Sequence, residues 1–154
     1  MEHPSFRVWC FHHQEWERDR CALTASGEIL HNMKGIWMPL RLGMHIAEQY
    51  VVELDCKDVP MYVGDIVEYE FMICGLDFWE VPRSFDRMID VGEGSKYYFR
   101  NVTGYIIRDG AEFIIEKIGP KCEEDFYDHG INFSWKKCLV IGNIHENPEL
   151  LNKL

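Results

Sequence analysis

Pro60-Met61-Tyr62-Val63-Gly64-Asp65-Ile66-Val67-Glu68-Tyr69-Glu70-Phe71 reads as a tight turn running into a strand. Gly64 supplies the backbone angles a sharp corner needs, and the Asp65 carboxylate can tie the turn to its own backbone. From Asp65 onward the side chains alternate. Val67, Tyr69 and Phe71 point one way; Ile66, Glu68 and Glu70 point the other. This period of two marks a half-buried strand. A Cβ on Gly64 is expected to cost stability, whereas Gly92, in an irregular stretch, is expected to tolerate one.

Outward from this strand the same pattern recurs. Upstream, Ala47–Leu54 is rich in β-formers and is expected to be a strand, with a helix from Met44 as the competing reading. Asp55–Asp58 is the turn between the two. Phe6–Phe11 opens the domain as a strand, with Phe6, Val8 and Cys10 on one face and Arg7, Trp9 and Phe11 on the other. Thr24–Gly27 turns into a short strand near Glu28–His31, and the apolar but punctuated Asn32–Gly43 is expected to be an ordered loop packed on the core. Downstream, Asp109-Gly110 between two apolar runs predicts a hairpin over Val102–Ile118. With those two residues as the loop, Arg108 pairs with Ala111 and Ile106 with Phe113, and Ile106, Phe113 and Ile115 face the core. One or two helical turns are expected over Arg83–Ile89, an exposed acidic segment over Lys121–His129, and a short edge strand over Asn132–Trp135. Cys138–Ile144 is the last core strand. Asn147-Pro148-Glu149 then signals a helix start: Asn caps, Pro takes the first position, and Glu favours the positive end of the helix dipole.

The fold expected is mainly β: a single barrel-like domain of antiparallel strands over residues 1–154, with a short C-terminal helix. At 154 residues and 47% hydrophobic content, the chain can bury a core without disulfides or metal. The formal net charge is −10, of which −3 falls in residues 1–55 and −7 in the rest. Acidity spread this way disfavours extensive contact with nucleic-acid phosphates or anionic lipid. The start Met-Glu-His-Pro-Ser-Phe-Arg lacks the pattern of a secretory signal, and no stretch has the ~20 apolar residues of a membrane helix. A cytoplasmic protein with six reduced cysteines is the expectation.

Three stretches together resemble one family. Phe6-Arg7-Val8-Trp9 is similar to the opening of YopX-family proteins, found in phages and prophages. Tyr62-Val63-Gly64-Asp65-Ile66-Val67 resembles their central segment, and Gln49–Asp58 the stretch before it. Val140-Ile141-Gly142-Asn143-Ile144-His145-Glu146-Asn147-Pro148-Glu149-Leu150-Leu151 resembles their C-terminal signature, the most specific of the three. The chain departs from the common pattern over Val51–Asp58. The resemblance implies a mainly β fold, a phage or prophage origin in a bacterial host, and a small accessory protein. It carries over no catalytic residues.

Cys10, His12, His13 and Cys21 cluster in sequence, and thiolate with imidazole is a zinc donor set. Their spacing matches no zinc module, so no metal or cofactor is expected, with Cys10, His13 and Cys21 as the alternative ligand set. A nucleophilic Cys–His pair would need a helix-start or Gly-flanked Cys, and none stands out. Glu68 with Glu70 reads as a solvated strand face, and Glu123-Glu124-Asp125 as a surface run. Trp9, Trp16, Trp37, Trp79 and Trp135 suit a core or a protein interface better than base stacking, given the acidic balance. Gly92-Glu93-Gly94 precedes no Lys-Ser or Lys-Thr and is no phosphate loop. The expected function is therefore a non-enzymatic, protein-binding or self-associating β module, with no catalytic residues. The alternatives are a nucleic-acid-associated barrel in phage DNA metabolism or regulation, and, third, a Cys/His-dependent enzyme.

Overall fold

The alternation read at Asp65 extends through a twelve-residue strand, around which the larger of two main sheets is built. The computed structural model describes residues 5–17, 21–40, 43–76, 86–90, 92, 95–119 and 135–152, and for 52, 71–76, 87, 95 and 96 only the backbone. In chain order the strands are β1 (Phe6–Cys10), β2 (Glu15–Trp16), β3 (Cys21–Leu23), β4 (Ile29–Met33), β5 (Ile36–Pro39) and β6 (His45–Leu54). They continue as β7 (Pro60–Tyr62), β8 (Asp65–Leu76), β9 (Arg87–Asp90), β10 (Ser95–Asp109), β11 (Glu112–Lys117) and β12 (Leu139–Asn143). Three sheets result: β2-β1-β6-β7, β11-β10-β8-β12 with β9 also on β10, and β3-β4-β5. Every pairing is antiparallel. The fold is mainly β, with curled, barrel-like sheets.

The first two sheets share one apolar core. Val51 and Met61 come from β6 and β7, while Val67, Tyr69, Val102 and Ile106 come from β8 and β10; Cys138 closes the cluster. Burial of these side chains, each worth ~1.5–3 kcal/mol, is what holds sheet on sheet. Val67 and Tyr69 are buried as the alternation requires, and Glu68 is exposed. Ile66 is buried as well, so the start of β8, where β12 pairs with it, is covered on both faces.

Several expectations are corrected. The Val102–Ile118 hairpin forms, but its loop is Gly110-Ala111, with Asp109 opposite Glu112 and Ile106 opposite Ile115. A type I′ loop would force both Asp109 and Gly110 to positive φ. The observed loop asks it of Gly110 alone (φ 59), and Asp109 stays in the strand. Each partner moves by two residues, so parity survives, and Ile106, Phe113 and Ile115 still face the core. Asn32–Gly43 is not a core-packed loop. Lys34 (φ 54) and Gly35 (φ 90) make a two-residue turn between β4 and β5, whose residues are exposed. Ala47–Leu54 is strand throughout, with no helix at Met44. Arg87–Asp90 pairs with β10 as a strand where helical turns were expected; residues 83–85 lie outside the described residues. So do Lys121–His129 and 132–134, while Trp135–Lys137 is a 3-10 turn. The expected C-terminal helix is also only a 3-10 turn, Pro148–Asn152. Among the described residues no helix is long and apolar enough to cross a membrane.

Candidate functional site

The β1–β6 register fixes which side chains meet. Arg7 lies opposite Glu48, Trp9 opposite Ile46 and Cys10 opposite His45. Side chains alternate, so Arg7, Trp9 and Glu48 share one face of the pair, while Val8, Cys10 and His45 share the other.

On the first face a buried polar network forms. The Arg7 guanidinium donates from Nε (2.9 Å) and Nη2 (2.8 Å) to Glu48 Oε2, and also from Nη2 to Asp65 Oδ1. Its plane sits between two rings, 4.0 Å from the Trp16 centroid and 4.4 Å from that of Tyr62. Asn143 Nδ2 donates to Glu48 Oε2 (3.1 Å) and Oε1 (3.2 Å) and to Asp65 Oδ1 (3.2 Å). Asp65 Oδ2 accepts the Tyr62 amide at 2.8 Å, which is the turn closure read from the sequence. Asn143 Oδ1 accepts the His145 amide, and Asn147 Oδ1 accepts that of Asn143. Gly142 leaves room for this contact: a Cβ would stand 2.6 Å from Asn147 Oδ1, so the Asn147 side chain would have to shift.

Burial dominates the electrostatics. Glu48 is 3% exposed, and losing water pushes its carboxyl up to about 7 despite the Arg7 charge and hydrogen bonds. Asp65 is raised for the same reason, against the same guanidinium. Burial first, then Arg7, lowers His145, whose Nε2 lies 3.3 Å from Glu48 Oε1 without the alignment of a hydrogen bond. Displaced carboxyl values often mark catalysis. Here, though, both carboxylates are occupied by partners inside the fold; Arg7, at 23%, and His145, at 14%, reach solvent in part. The arrangement clamps the β1, β6, β7–β8 and C-terminal segments together. Asp55 does similar work nearby, accepting the Lys57, Val59 and Val140 amides. Burial also pushes the Cys138 thiol up to about 12, which keeps it protonated at neutral pH.

The three stretches quoted for the YopX resemblance thus converge on one network: Arg7 from the first, Gly64-Asp65 from the second, and Gly142-Asn143 and His145 from the third. A family model described as YopX protein matches residues 5–152. The chain belongs to the YopX family. The crystal structure of protein EF1440 from Enterococcus faecalis is similar, with a TM-score of 0.50 and 20% identity over 96% of each chain. At that identity the likeness shows the fold alone. No curated protein matches.

The ligand alternative from the sequence is divided by the fold. Cys10 and His13 line one cavity of about 330 Å³, together with His12, Glu17, Pro39, Leu40, Met44 and His45. Cys21 lies on β3 and does not line it. Glu17 and His45 were missed in the sequence. The one available signal was weak: Glu17 follows, and His45 opens, a strand that must pair with β1. Glu68, as read, is a solvated strand position.

A second feature of this YopX-family chain is the face and edge of β3-β4-β5. On β5, Ile36 is 66%, Trp37 47% and Met38 46% exposed, with Met33, opposite Ile36 on β4, exposed as well. Among the described residues β5 has a strand, β4, on one side only.

Proposed function

We propose that this protein works as a non-enzymatic, self-associating β module, and that the free edge of β5 pairs with β5 of a second copy. The observation that carries this is the row Ile36-Trp37-Met38, an apolar edge strand left in water. Native proteins blunt such edges with charge, proline or cover, because they template strand addition. β5 ends at Pro39 but carries no charge along its length.

Local charge does not oppose a like partner at this place. The chain carries −10, so most faces of two copies repel. Residues 21–40 contain one acid, Glu28, and one base, Lys34, and are neutral. Hairpin geometry sets the register. The residues flanking a two-residue loop exchange both hydrogen bonds, so Met33–Ile36 and His31–Met38 bond inward. The Trp37 N–H and C=O then face outward. A twofold axis through Trp37 lets two copies exchange both bonds and bring their indoles together, a self-complementary contact.

Light scattering on the eluting protein tests this. The parent is expected at twice its 18.2 kDa mass, and Trp37→Lys at the single mass with unchanged circular dichroism. A parent that stays monomeric at high micromolar concentration overturns self-association and leaves the face to a different protein. An origin in phage or prophage and a cytoplasmic site in a bacterial host remain part of this reading, on the family resemblance.

A further inference from the structure

The opposite face of the β1–β6 pair carries the second constellation. Cys10 and His45 are direct cross-strand partners, which places their Cβ atoms ~4.5–5.5 Å apart. Glu17 follows β2, and its amide bonds the Val8 carbonyl at 2.8 Å. The β1–β2 register sets Trp9 opposite Trp16 and Cys10 opposite Glu15, so Glu17 extends the ladder opposite Val8. Val8 and Cys10 are two apart, and Glu17 therefore projects to the same face as Cys10. The register alone brings together a thiol, a carboxylate and an imidazole that are distant in sequence. Their donor atoms all lie within 4.8 Å of one another.

We propose that Cys10, Glu17 and His45 bind a divalent transition metal of the zinc class. The donor set mixes a soft thiolate with an imidazole and a carboxylate, which suits zinc and its surrogate cobalt and disfavours calcium or magnesium. Two ligand atoms at tetrahedral angles on zinc stand ~3.3–3.6 Å apart, given bonds of ~2.0–2.3 Å. His45 Nε2 and Glu17 Oε1 are already at 3.2 Å. The other ring nitrogen, His45 Nδ1, is buried with no hydrogen-bond partner among the described residues. The cavity beside the cluster has room for an ion and a water, and His12 and His13 line it as candidates for the fourth position. Binding forms a metal–sulfur bond and releases the thiol proton to solvent. The metal would pin the end of β1 to the start of β6 and to the segment after β2.

The probe is zinc alone, added to untagged, chelator-stripped protein and followed by competition with a chromophoric chelator; cobalt replaces it for spectroscopy. One equivalent is expected to bind. The cobalt form should show thiolate-to-metal charge transfer in the near ultraviolet and the intense visible bands of a tetrahedral site. Cys10→Ser and His45→Gln should each weaken zinc binding at least ~10-fold and abolish or blue-shift those bands, while Cys56→Ser leaves both unchanged. Should buried Cys10→Ser fail to fold, Glu17→Gln, at a partly exposed position, carries the same expectation. A parent without the charge-transfer band overturns the proposal, and so does affinity unchanged in both His45→Gln and Glu17→Gln.

Discussion

Gly64 and Gly92 make a matched pair for testing how much the buried network matters. Both hold positive φ, at 89° and 83°. The sequence alone predicts that Gly92 tolerates substitution. Its φ removes that immunity and assigns both positions the same backbone strain, ~1 kcal/mol for alanine. The surroundings differ. A Cβ at Gly92 meets nothing within 4 Å, whereas at Gly64 it falls 2.9 Å from Glu48 Cδ, closer still to Oε1, and 3.3 Å from Asn143 Nδ2. The Glu48 carboxylate must withdraw by more than ~0.5 Å to restore ordinary contact. That displacement weakens its bonds to Arg7 and Asn143. Losing one or two charge-assisted bonds in a dry site costs ~1.5–3 kcal/mol each. Gly64→Ala is therefore expected to lose ~4 kcal/mol and Gly92→Ala ~1 kcal/mol. At ~2–4 °C per kcal/mol for a chain of this size, the melting temperatures fall by ~8–16 °C and ~2–4 °C. Circular dichroism melts of parent and both variants in one buffer decide it. Two variants melting within ~2 °C of each other would refute the role given to Glu48.

Two further outcomes follow from the same network. Burial favours the protonated form of Glu48, raising its carboxyl from 4.5 to about 7, so its contribution is full below pH 4.5 and lost as pH rises through 7; the difference amounts to ~3 kcal/mol. Glu48→Gln should accordingly gain on the parent as pH goes from 5 to 8 in urea titrations, and a pH-independent difference would contradict the assignment. Asn143→Asp replaces the amide donor between two carboxylates with a third acid. It should melt well below Asn143→Ala at pH 8, with the gap narrowing at pH 5; equal melts at pH 8 would remove Asn143 Nδ2 from the network.

The legible part of the fold was the part written in local pattern. The alternation from Asp65 and the Asp109-Gly110 signal each specify a strand and its inward face within a dozen residues. Parity explains why the sequence pattern puts Ile106, Phe113 and Ile115 on the right face although it puts the loop one residue early. The network was illegible because Arg7, Glu48, Asp65 and Asn143 meet only through long-range register; each alone reads as an ordinary polar residue. The same holds for His45 and Glu17, whose partnership with Cys10 depends on pairing β1 with both β2 and β6. Ile36-Trp37-Met38 misled for the opposite reason. Apolar residues are inside more often than not, so an apolar stretch reads as core even where the fold leaves it on an edge.

The measurement that bears most directly on self-association is amide exchange at β5, residue by residue, across protein concentrations. Trp37 is the position whose N–H points off the free edge, while those of Ile36 and Met38 are bonded to β4. Pairing of two copies predicts that Trp37 exchange slows as concentration rises, with Ile36 and Met38 little changed. A Trp37 amide that exchanges at the same fast rate at every concentration would contradict edge-to-edge association of this protein.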